Sequence, residues 1–134
     1  MPLSPKILVA EDDSGIREIL RTHLSSAGYD VQVARDGLEA MALIRQWRPD
    51  AMVLDINMPG LDGFGVLRAI TQDHLPPPRT LVLTARHAAA DVKQAIGLGA
   101  KDYLSKPFTE AQLLGRVARL VRKVDARPAD ELLI

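Results

Sequence analysis

A chain of 134 residues with 47% hydrophobic content is long enough for one domain with a real core and too short for two comfortable ones. Its seventeen basic and seventeen acidic residues cancel, which argues against the broad positive field of a nucleic-acid binder, and the lack of cysteine removes disulfides, thiolate-held zinc and thiol nucleophiles. With no bilayer-length apolar run and no signal-like apolar core in Met1–Lys6, the expectation is a cytoplasmic protein without membrane contact.

Lys6 to Ala10 (K-I-L-V-A) is continuously apolar after its first residue, as expected of a strand covered on both faces. The acids Glu11-Asp12-Asp13 follow, then Ile16, Ile19, Leu20, Leu24 and Ala27 recur at helical spacing up to Gly28, with Asp13 or Ser14 as cap. Tyr29 to Ala34 alternates like a strand with one wetter face and is placed at the outside of the sheet. A second amphipathic helix spans Asp36 to Trp47 and is ended by Arg48-Pro49-Asp50. Ala51 to Leu54 is the most buried strand. It stops at Asp55, after which Asn57, Pro59, Gly60 and Gly63 make a turn.

Phe64, Val66, Leu67 and Ile70 outline a third helix ending near His74, and Pro76-Pro77-Pro78 forces an extended loop. Thr80 to Thr84 is a fourth strand, and a helix from about Ala88 to Leu98 is closed by Gly97 and Gly99. Tyr103 to Ser105 makes a short fifth strand, and Thr109 opens a fifth helix carrying Leu113, Leu114, Val117, Leu120 and Val121. Strands alternating with helices predict an α/β domain: a five-stranded, mostly parallel, doubly wound sheet with right-handed crossovers and helices on both faces. The domain is expected to fill residues 1–124, with the more polar 125–134 as linker or C-terminal tail.

In a parallel sheet every strand ends on the same side, so the strand-end residues meet at one edge whatever the strand order. They are Glu11, Asp12, Asp55, Thr84 and Lys106. Carboxylates brought together repel and lose hydration, so a cation must sit among them. Lys106 is one, and a hard divalent ion is the second: an all-oxygen set suits Mg²⁺, with Mn²⁺ as the alternative occupant. Such a site can receive a phosphoryl group, and a carboxylate in it can be the attacking oxygen. Asp55 is central and best placed, and the turn after it brings a backbone carbonyl near Asn57 to the same edge.

The segments I-L-V-A-E-D-D, L-D-I-N-M-P-G-L-D-G, L-T-A and G-A-K-D-Y-L-S-K-P-F-T, in this order and spacing, resemble the receiver domain of bacterial two-component response regulators from about Lys6 to Lys123. The resemblance implies the flavodoxin-like strand order 2-1-3-4-5 and Asp55 as phosphoacceptor. It implies Mg²⁺ held by Asp12, Asp55 and the Asn57 carbonyl, with Glu11 acting through water. Thr84 and Lys106 would contact the phosphoryl group, Tyr103 would turn inward on activation, and the Lys106-Pro107 bond would be cis. The implied donor is a sensor histidine kinase or histidine phosphotransfer protein. The readout would be the face of the fourth helix, fifth strand and fifth helix, presented to an output domain or effector protein.

Each residue also has a plainer reading. Asp12 and Asp13 suit helix caps, Thr84 suits any strand, Lys106 before proline suits a solvated loop, and Tyr103 suits the core. His23, His74 and His87 lack metal-like spacing and are read as surface residues. Gly97-x-Gly99 follows a helix and lacks a dinucleotide loop's third glycine. Asp102 and Arg116 match one ionic pair of the dimers formed by winged-helix members of the family, whereas Val92 and Gln112 replace charged partners of another, so a monomer or weak dimer is expected. Direct nucleic-acid binding by these residues is not expected. The chain is read as a signalling domain rather than an enzyme. Two alternatives remain: a phosphate-independent interaction module of the same fold, and a haloacid dehalogenase-like phosphohydrolase, whose nucleophile would end the first strand rather than the third.

Overall fold

Strands β1 (Lys6–Ala10), β2 (Asp30–Ala34), β3 (Ala51–Asp55), β4 (Arg79–Ala85) and β5 (Asp102–Lys106) pair in parallel in the order β2-β1-β3-β4-β5. The computed structural model describes residues 4–85 and 89–133, with side chains of the last helix described through Arg122. Helices α1 (Ser14–Ser26), α2 (Gly37–Trp47), α3 (Gly63–Gln72), α4 (Ala89–Gly97) and α5 (Glu110–Leu133) alternate with the strands. Ala88, the expected start of the fourth helix, and His87 lie outside the described residues.

The alternation of side chains along each strand divides the core in two. Leu8, Ala10, Met52, Leu54 and Val82 face α2, α3 and α4 through Met41, Ile44, Phe64, Leu67, Ile70 and Ala95. Ile7, Val9, Val53, Leu81 and Leu83 face α1 and α5 through Leu20, Leu24, Leu113 and Val117. All five residues of β3 are buried, which is why its sequence reads as an unbroken apolar run. β2 is an edge strand with alternating exposure, as its sequence predicts.

Three helices start at the carboxyl edge on aspartate caps: Asp13 accepts from the Ile16 N–H at 2.9 Å, Asp36 from Glu39 at 2.8 Å and Asp62 from Gly65 at 2.8 Å. Asp13 therefore takes the capping role and leaves Asp12 free of it. Thr109 and Gln112 form a reciprocal box at the head of α5, each side chain accepting from the other's backbone N–H, at 3.1 and 2.9 Å. Gln112, weighed above as a missing dimer charge, has this local task. Helical backbone continues in α5 to Leu133, across the stretch expected as linker or tail. Apart from Pro128, that stretch is rich in Ala, Arg, Asp, Glu and Leu, which are mostly compatible with helix.

Gly63 fixes where α3 meets the sheet. Its N–H donates to the Ile56 carbonyl at 3.0 Å, and a Cβ there would lie 2.8 Å from the Asp55 carbonyl oxygen and 2.8 Å from Ile56 Cα. Both are backbone atoms of the turn that carries Asp55, so they cannot yield as a side-chain tip would. Gly63→Ala should lower the free energy of urea unfolding by about 1–3 kcal/mol; an unchanged unfolding curve would show that the turn absorbs the methyl group.

Candidate functional site

Asp55 ends the central strand, and its carboxylate is almost wholly covered, at 2% exposure. The turn after it folds back, so that the Asn57 N–H donates to Asp55 Oδ1 at 3.1 Å. Glu11, just beyond β1, is fully buried. Asp12 beside it is exposed. Oxygen atoms of Glu11, Asp12 and Asp55 lie within 4.8 Å of one another. Lys106, the last residue of β5, sends its ammonium group to Glu11 Oε1 at 2.8 Å and to within 3.4 Å of Asp55 Oδ1. The Lys106-Pro107 peptide is cis. The four charged residues expected at the edge are thus brought together.

Thr84 is buried on β4, one residue past Leu83, the register partner of Asp55, and its hydroxyl donates to the Ala85 carbonyl at 3.1 Å. Tyr103 lies on β5 with its side chain outward, 43% exposed. Arg116 holds that region: its Nη1 donates to the Tyr103 carbonyl at 2.5 Å and to Asp102 Oδ1 at 3.0 Å, and its guanidinium lies 5.9 Å from the Tyr103 ring centre. Asp102 and Arg116 therefore form an ion pair within one chain. Tyr103 is not in the core, because β5 is an edge strand with alternating exposure. His23 is half-buried, with Nδ1 3.4 Å from Glu110 Oε1, and His74 is exposed.

Arg17 was not foreseen as part of this edge. Its Nη1 donates to the carbonyls of Glu11 at 2.9 Å and Asp12 at 3.2 Å, pinning the acidic turn from the first turns of α1. The signal available was its position six residues after Glu11, near enough along a helix to reach back. Sequence reading also anticipated only the carbonyl of Asn57 and missed its N–H bond to Asp55.

Charge is unbalanced here. Burial raises the Glu11 carboxyl to about 8, and the neighbouring Asp55 carboxylate adds to the shift, while Lys106 pulls the other way. Burial works to lower the Lys106 ammonium, but its bond to Glu11 and the charges of Asp55 and Glu11 outweigh this and leave it above its usual value. Glu11 Oε2 is buried without a hydrogen-bond partner. Three carboxylates, one direct cation and an unpartnered buried oxygen make a donor set that fits a hard divalent ion. Beside Lys106, Ile16, Ile19, Ala85, Pro107 and Phe108 complete the lining of an apolar cavity of about 460 Å³.

A doubly wound sheet of order 2-1-3-4-5, with acids, threonine and lysine gathered at its carboxyl edge around a buried aspartate, is the architecture of receiver domains. Residues 7–118 match the family model described as the response regulator receiver domain, and the chain belongs to that family. It is 46% identical over 131 residues to response regulator MprA of Mycobacterium tuberculosis, covering 96% of this chain and 56% of that protein. With MprA of Mycobacterium ulcerans it shares 47% over 123 residues, covering 90% and 52% respectively. The chain thus spans about half the length of the curated relatives it matches.

Among solved structures, it resembles the receiver domain of Francisella response regulator 1452 with a TM-score of 0.83 and 34% identity, covering 90% of this chain and 99% of that one. The chemotaxis response regulator CheY4 of Vibrio cholerae gives a TM-score of 0.80 at 32% identity, covering 87% and 98%.

A buried acid raised from 4.5 to about 8 gives a definite pH dependence. Between those values the folded chain binds more protons than the unfolded one, so stability falls as pH rises through the window. Metal-free protein should lose about 1–3 kcal/mol of unfolding free energy between pH 5.5 and 8.5. Glu11→Gln should flatten that slope, and saturating Mg²⁺ at pH 8 should raise the melting temperature. A metal-free pH profile identical in parent and variant would sink the assignment.

Proposed function

We propose that this receiver domain takes a phosphoryl group onto Asp55 from phosphohistidine on a sensor kinase or phosphotransfer protein. The observation that carries this is the placement of the Asp55 carboxylate, buried at the end of β3 with the Lys106 ammonium 3.4 Å away and two further acids in reach. Asp12, Asp55 and the Asn57 carbonyl, with Glu11 through water, would hold Mg²⁺ or Mn²⁺, which supplies Lewis-acid neutralisation of phosphoryl oxygens when bound.

An Asp55 carboxylate oxygen attacks phosphorus, the P–N bond to histidine breaks, and its electron pair leaves with the imidazole. The Asn57 N–H orients the carboxylate, and Lys106 draws negative charge toward the edge. The apolar cavity between α1 and Pro107-Phe108 gives a donor protein a surface beside the reacting carboxylate. Water later cleaves the acyl phosphate and releases inorganic phosphate.

Phosphorylation adds close to two negative charges beside Thr84 and Lys106. The Thr84 hydroxyl exchanges its Ala85 carbonyl partner for a phosphoryl oxygen, and Tyr103 turns from its outward position into the space released. The change is read at the face of α4, β5 and α5 by an output domain or effector protein. The receiver unit occupies residues 1–124, residues 125–134 serve as linker or C-terminal tail, and the chain works in the cytoplasm as a monomer or weak dimer without direct nucleic-acid contact.

Incubation with acetyl phosphate and Mg²⁺ should produce one hydroxylamine-labile phosphate per chain, absent in Asp55→Asn. Label persisting in that variant would move the acceptor elsewhere, and sustained hydrolysis of small phosphate esters would favour a phosphohydrolase. Thr84→Ala should still be labelled but should lose the phosphorylation-dependent shift of the Tyr103 ring resonances. Trp47 sits beside Lys6, with Nζ 5.5 Å from its ring, at the opposite end of β1, so its fluorescence is a poor reporter of this change.

A further inference from the structure

The opposite edge of the sheet carries the reverse charge. A cavity of about 670 Å³ opens there among the loops that lead into β3, β4 and β5, lined by Arg48, Arg79 and Lys101 against a single carboxylate, Asp50. That carboxylate is already engaged, its Oδ2 accepting from the Lys6 backbone N–H at 2.8 Å. Among the described residues none of the three cations has an acidic partner, whereas Arg35, Arg45 and Arg116 each do. The Nε of Arg79 is buried without a hydrogen-bond acceptor. A smaller cavity of about 130 Å³ shares Arg79 and Lys101 and adds Arg119, and its acid, Asp102, is taken by Arg116 at 3.0 Å. Pro76, Pro77, Pro78 and Leu98 give the larger cavity an apolar wall.

The carboxyl ends of α2, α3 and α4 also reach this edge, and their partial negative charge accounts for some excess of cations. It accounts for Arg48, which ends α2 in the left-handed conformation, at φ 56° and ψ 63°, and donates its Nε to the Arg45 carbonyl at 3.1 Å. It does not account for Arg79. Arg79 opens a strand rather than ending a helix, and its buried Nε points to an acceptor that the chain does not provide.

We propose that this cavity binds a small organic phosphate, its oxygens on Arg48, Arg79 and Lys101 and its organic part against the proline wall. Arginine matches phosphate with paired donors, and the cavity falls within the range of about 300–1,000 Å³ usual for small-molecule sites. A recess of this size suits a small ligand better than the flat surface of an acidic protein does. The site lies at the end of the sheet away from Asp55 and is independent of the chemistry proposed there.

The test uses metal-free chain in EDTA, with ADP as the probe and amide resonances as the readout. ADP should give saturable shifts at Arg48, Asp50, Arg79, Gly99 and Lys101 while leaving Asp55 and Lys106 unmoved. Lys101→Gln removes an exposed charge and should weaken ADP about tenfold. Arg48→Gly suits the left-handed backbone, so it should melt at or above the parent temperature while also weakening ADP about tenfold. Shifts centred on Asp55 and Lys106 would overturn the proposal, as would variants that bind like the parent. Equal shifts with adenosine would remove the phosphate from the argument. Binding of polyglutamate without binding of ADP would assign the surface to an acidic macromolecule instead.

Discussion

The ion pairs that Lys106 makes with Glu11 and Asp55 are the constraint on which the carboxyl edge depends. Lys106 lies 95 positions from Glu11 in sequence, so this contact ties the end of the edge strand β5 to the turns after β1 and β3. Burying one carboxylate is costly, and burying two side by side adds their mutual repulsion. One ammonium group cannot balance both, and the raised Glu11 carboxyl is the physical expression of that deficit. A proton or a second cation must make up the difference. Stability and loading of the site are therefore linked properties of one charge arrangement.

Much of this was legible because parallel strands speak plainly in sequence. A strand covered on both faces must be apolar throughout, so β1, β3 and β4 announced themselves, and their first polar successors had to fall on a common edge. The edge strand β5 was harder. It runs Asp102–Lys106 rather than Tyr103–Ser105 because its extent is set by backbone pairing with β4, from Leu81↔Asp102 to Ala85↔Lys106, which side-chain polarity does not record.

For Tyr103 the core reading failed and the outward start implied by the family resemblance held, since a half-covered strand leaves alternate residues outside. Arg17 left only its spacing from Glu11 as a signal, because its role is to bond carbonyl oxygens, and backbone acceptors carry no signature of their own. Gly63 read only as a turn residue. Its actual demand is steric, set by the close approach of α3 to the backbone of Asp55 and Ile56.

Formal neutrality hid a strong separation of charge. Acids gather at the carboxyl edge and uncompensated bases at the opposite edge, so the sheet lies between two regions of opposite sign. Helix dipoles run counter to that separation: the amino ends of the helices reach the acidic edge, where the aspartate caps gain from them, as the proposed phosphoryl group would. The same alignment places partial negative charge among Arg48, Arg79 and Lys101. Each end of the fold therefore combines side-chain charge with a backbone field of opposite sign, which offsets part of the repulsion among the like charges gathered there.

That arrangement bears on how the proposed switch stays small. β5 pairs with β4 alone, so its outer side is free to rearrange without breaking a second ladder. The outward Tyr103 is held by Arg116, through the carbonyl of its own residue and the neighbouring Asp102, and not by close packing. Rotating its ring inward gives up the guanidinium contact at 5.9 Å but leaves those backbone and carboxylate bonds in place. The energy needed is then mainly that of filling the space near Thr84, a demand that a few new hydrogen bonds to a phosphoryl group can meet. A tyrosine locked into the core in both states could report nothing, and one wholly detached from the strand could not be driven. An exposed ring on an anchored edge strand satisfies both requirements.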